Sequence, residues 1–284
     1  MSLSLSSFLL ERYWPVEKAK LSAEWAEISE RYVRQIAATC TCTDIATLGE
    51  WEVEQWWSEV VRTQPAPTAN KLLARFKHAL GRAVRWRLAN ENPAKHIRKA
   101  RQEEAVYPLL TDEVRDRLVR EASSTLRPYI QLAWYTGQRR RSLALLKQGD
   151  VDLANATLTF RGTKNTTSYT VPLHPALDSV IGDLLRSPIR RPAQVQAPHQ
   201  TPLLPQYKDY RTVSRVFYRV ARRAGVPAVH FHHLRHNMGL KLCEANVHLK
   251  VVMRILGHKT PAMALRYSHA TEKHVRESLE TALK

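Results

Sequence analysis

Acidic residues are scarce in this chain, and cysteines scarcer still. Its 284 residues carry 26 Asp and Glu against 44 Lys and Arg, for a formal net charge of +18 and a pI of about 10.1. That deficit of acid points to a polyanionic partner, most often nucleic acid, with an acidic membrane surface as the rival. Three cysteines, Cys40, Cys42 and Cys243, make neither a disulfide framework nor a four-ligand zinc site. They suit a reducing cytoplasm. No apolar run comes near the roughly 18 residues that a spanning helix needs, so no membrane span is expected. The opening residues, MSLSLSSFLLERYW, have no basic stretch ahead of an apolar one and soon turn charged, so they do not read as a signal peptide. No internal repeat or low-complexity tract stands out. What the chain does have is apolar material, 44% of its residues, and length enough for two ordinary domains with a core in each.

Charge is spread unevenly. Residues 1–60 hold five Lys and Arg against ten Asp and Glu, whereas residues 71–101 hold ten basic residues against the single acid Glu91. The basic block predicts a helix, because Leu72, Phe76, Leu80, Val84 and Leu88 recur every four residues with Leu73 and Ala83 beside them. Lys71, Arg75, Lys77, Arg82 and Arg85 fall on the remaining surface, where they could lie along phosphates. A solvated basic face is the plainer reading, and the near-absence of acids favours DNA. Two earlier helices are expected, at about 22–38 with Trp25, Ile28, Tyr32 and Ile36 on one side, and at 50–61 with Trp51, Val53, Trp56, Trp57 and Val60. The tryptophans read as domain core rather than as a platform for bases. Asn92-Pro93 is expected to end the basic helix, and a polar linker leads to Tyr107-Pro108. The domain boundary falls there, giving residues 1–103 and 107–284.

The second part opens at Thr111, an N-cap with acids in the first turn. Helices to about Ala122, over Leu126–Tyr135 and over Arg139–Lys147 follow, the last burying Leu143 and Leu146. A short β region is expected at Thr157–Phe160 and Ser168–Pro172 around a polar turn. Ser187–Pro205 reads as a loop. Asp209–Ala224 reads as a helix with Val213, Val216, Phe217 and Val220 inward. Val275, Leu279 and Leu283 predict a short terminal helix over 271–284. The fold class is therefore mainly α with a small antiparallel β-sheet.

Residues 230–269 carry the chemistry. His232 and Arg235 stand one helical turn apart and can face one point. His258 follows in a Gly-His turn, and Tyr267 comes nine residues later. Imidazoles, a guanidinium and a phenol in so basic a chain suit phosphoryl transfer to a tyrosine without a metal. The histidine-rich run 230–233 has no acid or cysteine at a familiar zinc spacing, so no metal ligands are assigned.

Five motifs in order resemble those of the tyrosine recombinases, the phage integrase family: T136-G-Q-R139, T163-K164-N, H232-H-L-R235-H236, L256-G-H258 and Y267-S-H. The resemblance covers nearly the whole chain. It implies a helical core-binding domain followed by an α+β catalytic domain, the two clamping a DNA duplex. Arg139, Arg140 and Arg141 would point about 100° apart on a helix, and the preceding Thr-Gly selects Arg139. Arg139 and Arg235 would grip the non-bridging oxygens of a phosphodiester, with His258 donating a further hydrogen bond. Tyr267 would attack phosphorus to give a 3′-phosphotyrosyl link, His232 would serve as general base, and Lys164 would protonate the leaving 5′-oxygen. His233 and His236 are assigned structural or DNA-adjacent places.

The resemblance implies a site-specific recombinase acting on a double-stranded DNA site, with no cofactor, metal or ATP. It implies a tetramer on two DNA sites that passes through a Holliday junction, and it leaves room for accessory DNA-bending proteins. Helix 271–284 is a candidate for docking on a neighbouring protomer or on its own domain. A type IB topoisomerase shares the same chemistry, and a catalytically inactive DNA-binding regulator is the rival of another class. RNA binding lacks a recognisable module. Two positions depart from the family pattern: Ser142 where a Glu is usual, and Ala264 where a Thr is usual.

Overall fold

The computed structural model describes residues 2–41, 44–102, 109–161, 168–186 and 198–267. The chain divides into two compact units, Met1–Ala105 and Val106–Lys284.

The first unit is helical. An α-helical turn, Leu5–Ser7, runs into a π-helical segment, Phe8–Tyr13, and then an α-helix, Trp14–Lys18. Three longer helices follow: α1 (Ala23–Thr39), α2 (Glu50–Thr63) and α3 (Ala66–Arg85). The inward stripe of α1 is Ala26, Ser29, Val33 and Ile36, one position away from the expected set, and Trp25 is 60% exposed. Ser29 can occupy the core side because the Arg75 guanidinium donates to its hydroxyl at 2.7 Å. Of the tryptophans on α2, Trp56 is core: it stands edge-on to Phe76 and its indole N–H donates to Thr39 at 2.9 Å. Trp51 is exposed instead.

Helix α3 forms for the expected reason, an apolar face of Leu72, Leu73, Phe76, Leu80 and Ala83, but it stops well short of Asn92-Pro93. Arg87 takes a left-handed conformation (φ 59°), and the Leu88 and Arg87 N–H groups close back onto the carbonyls of Ala83 and Val84 at 2.9 and 3.0 Å. This is a helix end of the kind glycine usually makes, so the sequence held no glycine to mark it.

The cationic face of α3 also differs from expectation. Arg75 reaches Ser29 and Tyr13, Lys77 donates to the carbonyls of Lys95 and Ile97, and Arg82 pairs with the nearly buried Glu17 at 2.6 Å. These three side chains hold the unit together, while Lys71 and Arg85 are exposed. Arg82→Ala removes one of the two cations paired with Glu17 and leaves Lys20. The unit is expected to lose about 1–3 kcal/mol, read as a lower melting temperature.

In the second unit, α4 (Asp112–Glu121) and α5 (Arg127–Thr136) pack with the later helices Thr212–Arg223 and Phe231–Glu244 around a core that includes Leu118, Tyr129, Ile130, Leu132, Phe217 and Leu234. α6 (Arg140–Ala144) is shorter than expected and buries Leu143, with Leu146 buried just beyond it. Strands β1 (Val151–Asp152), β2 (Thr157–Phe160) and β3 (Tyr169–Pro172) make an antiparallel sheet in that order. Leu158 pairs with both Val151 and Val171. β1, of two residues, is too short to leave a periodic signal. α7 (Asp178–Arg186), α8 (Thr212–Arg223), α9 (Phe231–Glu244), α10 (Leu249–Leu256) and α11 (Pro261–Leu265) complete the unit. Within the segment expected as a loop, Leu203 and Leu204 are fully buried and Lys147 bridges to Pro202, so its end belongs to the core. The turn bearing Lys164 and the segment 271–284 lie outside the described residues. Among the described residues, no helix is long and apolar enough to cross a membrane.

Candidate active site

Two left-handed glycines aim the site. Gly137 ends α5 at φ 64°, and a Cβ there would lie 2.6 Å from Leu256 and 2.9 Å from Met238. Gly257 ends α10 at φ 61°, and the next residue, His258, returns its N–H to the Met253 carbonyl at 2.9 Å. Each turn delivers a functional side chain: Arg139 two residues after Gly137, and His258 directly after Gly257.

Arg235 joins the two turns. It projects from α9, is 2% exposed, and donates to the Gly137 carbonyl at 2.9 Å and the Leu256 carbonyl at 2.7 Å. Its charge also acts on the phenol of Tyr267. Burial, followed by the charge of Arg139, pulls its pKa down to about 10, so it stays cationic at neutral pH. Of the three consecutive arginines, Arg140 turns to Ser214 and the Tyr210 ring, and Arg141 lies over the same ring at 5.6 Å. Arg139 is the one whose charge acts on Arg235, His232, His258 and Tyr267 together.

Tyr267 is 6% exposed. Its ring rests on Gly239, where a Cβ would come within 2.7 Å, and it stacks nearly parallel on His258 with ring centres 6.0 Å apart. Burial raises its pKa, against the opposing pull of Arg235, Arg139 and Arg266. His232 stands one turn before Arg235. Burial and the charges of Arg235 and Arg139 push its pKa down to about 4, although the residue keeps an exposed surface. His258 is brought to about 4 by burial and the same two arginines. His236, also near 4, fills the space between, edge-on to His232 at 4.7 Å and tilted against Tyr267 at 5.5 Å. His233 accepts the His230 backbone N–H at 3.2 Å and so caps α9.

The structure thus brings Arg139, His232, Arg235, His258 and Tyr267 into one place. Lys71 and Arg85 belong to the other unit, and Lys164 is not among the described residues. A cleft of about 1040 Å³ opens beside the site, lined by Arg139, Arg254, Lys250, Lys259 and His258 among others. The one acid on its described wall, Asp150, already receives Arg161. Such a lining suits an extended polyanion. Among the described residues, no group of His, Cys, Asp and Glu is arranged to hold a metal ion. Ser142 lines the cleft, and Ala264 is buried against Tyr267.

Two polar residues of the site carried no sequence signal. Gln138 is 1% exposed, and its amide nitrogen donates to the carbonyls of Thr136 and Ile255. Tyr169, at the start of β3, donates to the Gln138 side-chain oxygen at 2.6 Å. Gln138 was the unspecified position between a glycine and an arginine, and Tyr169 was one aromatic in a short strand, so only the packing selects them.

The depressed histidines make acid destabilising. His232, His236 and His258 titrate near 4 in the folded chain against an ordinary 6.5, so the unfolded chain takes up protons first as the pH falls. The melting temperature of the second unit is expected to drop between about pH 6.5 and 4, measured by thermal unfolding across this range.

The comparisons with known proteins agree with one another. The phage integrase family model matches residues 102–274. Tyrosine recombinase XerA of Pyrococcus furiosus is 28% identical over 204 residues, a match that takes in 69% of this chain and 66%, just under two thirds, of that one. Two solved structures share the fold at low identity. The Tn1549 transposon integrase in complex with a circular intermediate DNA has a TM-score of 0.79 at 14% identity, covering 99% of this chain and 100% of that one. A lambda integrase tetramer bound to a Holliday junction has a TM-score of 0.73 at 20% identity, covering 92% and 79%. With Arg139, His232, Arg235, His258 and Tyr267 gathered into one basic site and a family match over more than half its length, the chain belongs to the phage integrase family of tyrosine recombinases.

Proposed function

We propose that the protein is a site-specific DNA recombinase that cuts and rejoins DNA strands through a 3′-phosphotyrosyl intermediate. The observation that carries this reading is the gathering of Arg139, His232, Arg235, His258 and Tyr267 in one place, with the charges of both arginines acting on the Tyr267 phenol. A phosphodiester bound there meets fixed positive charge where negative charge builds during attack. The Tyr267 oxygen forms a bond to phosphorus, the bond to the 5′-oxygen breaks, and the phenolic proton passes to His232. Lys164 returns a proton to the leaving 5′-oxygen. His232 and His258 are neutral in the empty site, so each ring offers one donor and one acceptor nitrogen. The bound phosphate, opposite in sign to the arginines, raises both and makes His232 a better base. The covalent link conserves the energy of the broken bond. The arginines neutralise the phosphate, so neither ATP nor a metal ion is called for.

Exchange between two duplexes needs four cuts and therefore four protomers. The lambda integrase tetramer on a Holliday junction, a protein of the same fold, supports that assembly. The helical first unit serves as the core-binding domain, with Lys71 and Arg85 on phosphates. Replacing both by Ala is expected to lower the slope of log affinity against log salt by about two. An unchanged slope in a binding titration would return that face to a purely solvated role.

The test of the reaction is a trapping assay with nicked duplexes tiled across the DNA that flanks the protein's own gene, in EDTA. The expected product is an SDS-resistant protein–DNA adduct. Absence of any adduct on a duplex that the protein binds would sink the proposal.

A further inference from the structure

Two polar side chains of the site, the buried Gln138 and the half-buried Tyr169, take no part in that chemistry. Gln138 lies between Gly137 and Arg139, and its amide is bonded to other parts of the unit. Its nitrogen donates to the Thr136 carbonyl at 3.1 Å and the Ile255 carbonyl at 2.7 Å, and its oxygen accepts from the Tyr169 phenol at 2.6 Å. One amide therefore ties together the turn that bears Arg139, the end of α10 just before Gly257 and His258, and the first residue of β3.

Tyr169 is held as firmly as its partner. Its ring stacks on Phe160 with centres 5.6 Å apart. It also presses on the Gly257 backbone so closely that a Cβ there would stand 2.4 Å from the ring and 2.6 Å from the phenolic oxygen. The phenol lies in the field of both Arg235 and Arg139, yet burial keeps its pKa above the ordinary value. It therefore remains a hydrogen-bond donor, and its donor is spent on Gln138. Tyr169 also lines the cleft together with Arg139, Gly257 and His258.

We propose that Gln138 and Tyr169 form a positioning pair that holds the Arg139 turn and the His258 turn at the separation strand cleavage requires. Neither residue touches phosphorus in this scheme. They act through Arg139 and His258, and the reaction is sensitive to small displacements of such groups. The inference rests on the recombinase reading given above.

The test uses the full chain with Tyr169→Phe, which removes one oxygen and keeps the ring, and Gln138→Met, which keeps the volume. Adduct formation is followed in single turnover on the nicked duplexes from the gene's flanking DNA, and affinity for the same duplexes and melting temperature are measured alongside. Each variant is expected to slow adduct formation by about 10- to 100-fold at saturating DNA, with affinity within about twofold of wild type. The double variant should be no slower than the slower single one, because both remove the same link. A wild-type rate in Tyr169→Phe overturns the inference. So does a loss of rate, affinity and melting temperature together, which marks ordinary structural damage, and so does a double variant in which the two losses multiply. If the wild-type chain itself forms no adduct on DNA it binds, the recombinase reading fails and this inference falls with it.

Discussion

Tyr267→Phe is expected to abolish the covalent protein–DNA adduct while leaving DNA affinity within about twofold and the fold intact. The substitution removes the nucleophilic oxygen and little else. The ring would still lie on Gly239, against His236 and His258, because these contacts involve its faces and edges rather than its hydroxyl. Arg235 would keep both of its acceptors, the carbonyls of Gly137 and Leu256. The cost in stability should therefore stay below about 1.5 kcal/mol, the worth of one hydrogen bond. The deciding measurement is the trapping assay on nicked duplexes. A persistent adduct in the Phe variant would show that another residue attacks, and Tyr169, which lies in the field of the same two arginines, would be the first to examine by peptide mapping.

Arg235→Ala should damage both reaction and fold. The buried guanidinium is the hydrogen-bonded link between Gly137 and Leu256, so its removal strands two backbone carbonyls in the interior. A loss of about 2–4 kcal/mol is expected from those unsatisfied groups and the cavity. Cleavage should fall by about 10³–10⁵-fold, the range seen when a transition-state arginine is lost. Arg235→Lys separates the two effects. Lysine keeps the charge but presents a point rather than a planar fork, and it cannot serve both carbonyls and a phosphate in the same geometry. Cleavage by the Lys variant is expected to remain about 10²-fold or more below wild type. Single-turnover cleavage together with thermal unfolding checks both variants. Full activity in the Lys variant would mean that charge alone suffices and that the fork geometry plays no part.

Much of this protein can be read along the chain, and the failures of that reading have a common cause. Helices α4 and α5 of the second unit were legible because a cap and a glycine punctuate them, Thr111 before α4 and Gly137 after α5, whereas α7 went unread. The end of α3 was not, because Arg87 adopts the left-handed conformation without being glycine. The inward face of α1 was misjudged because two stripes one residue apart fit a helical period almost equally well. The choice between Trp25 and Ser29 then depended on Arg75, 46 residues away. The cationic face of α3 was read as free for the same reason. Its partners, Glu17 and the carbonyls of Lys95 and Ile97, come from other parts of the unit.

Residue type and local spacing, properties of the chain itself, determined the chemistry: a tyrosine, two arginines and two histidines in an order that suits phosphoryl transfer, within an overall excess of positive charge. Those features survive in one dimension because each motif is a turn or a helical turn that fixes its own side chains relative to the neighbouring backbone. Which basic residues face outward and which polar groups are buried beside the site were decided by tertiary structure alone. These outcomes depend on contacts between segments far apart in sequence, such as Gln138 with Tyr169 and Ile255, and Arg235 with Gly137 and Leu256. A buried donor must find its acceptor wherever the fold places one, and local sequence carries no record of that choice.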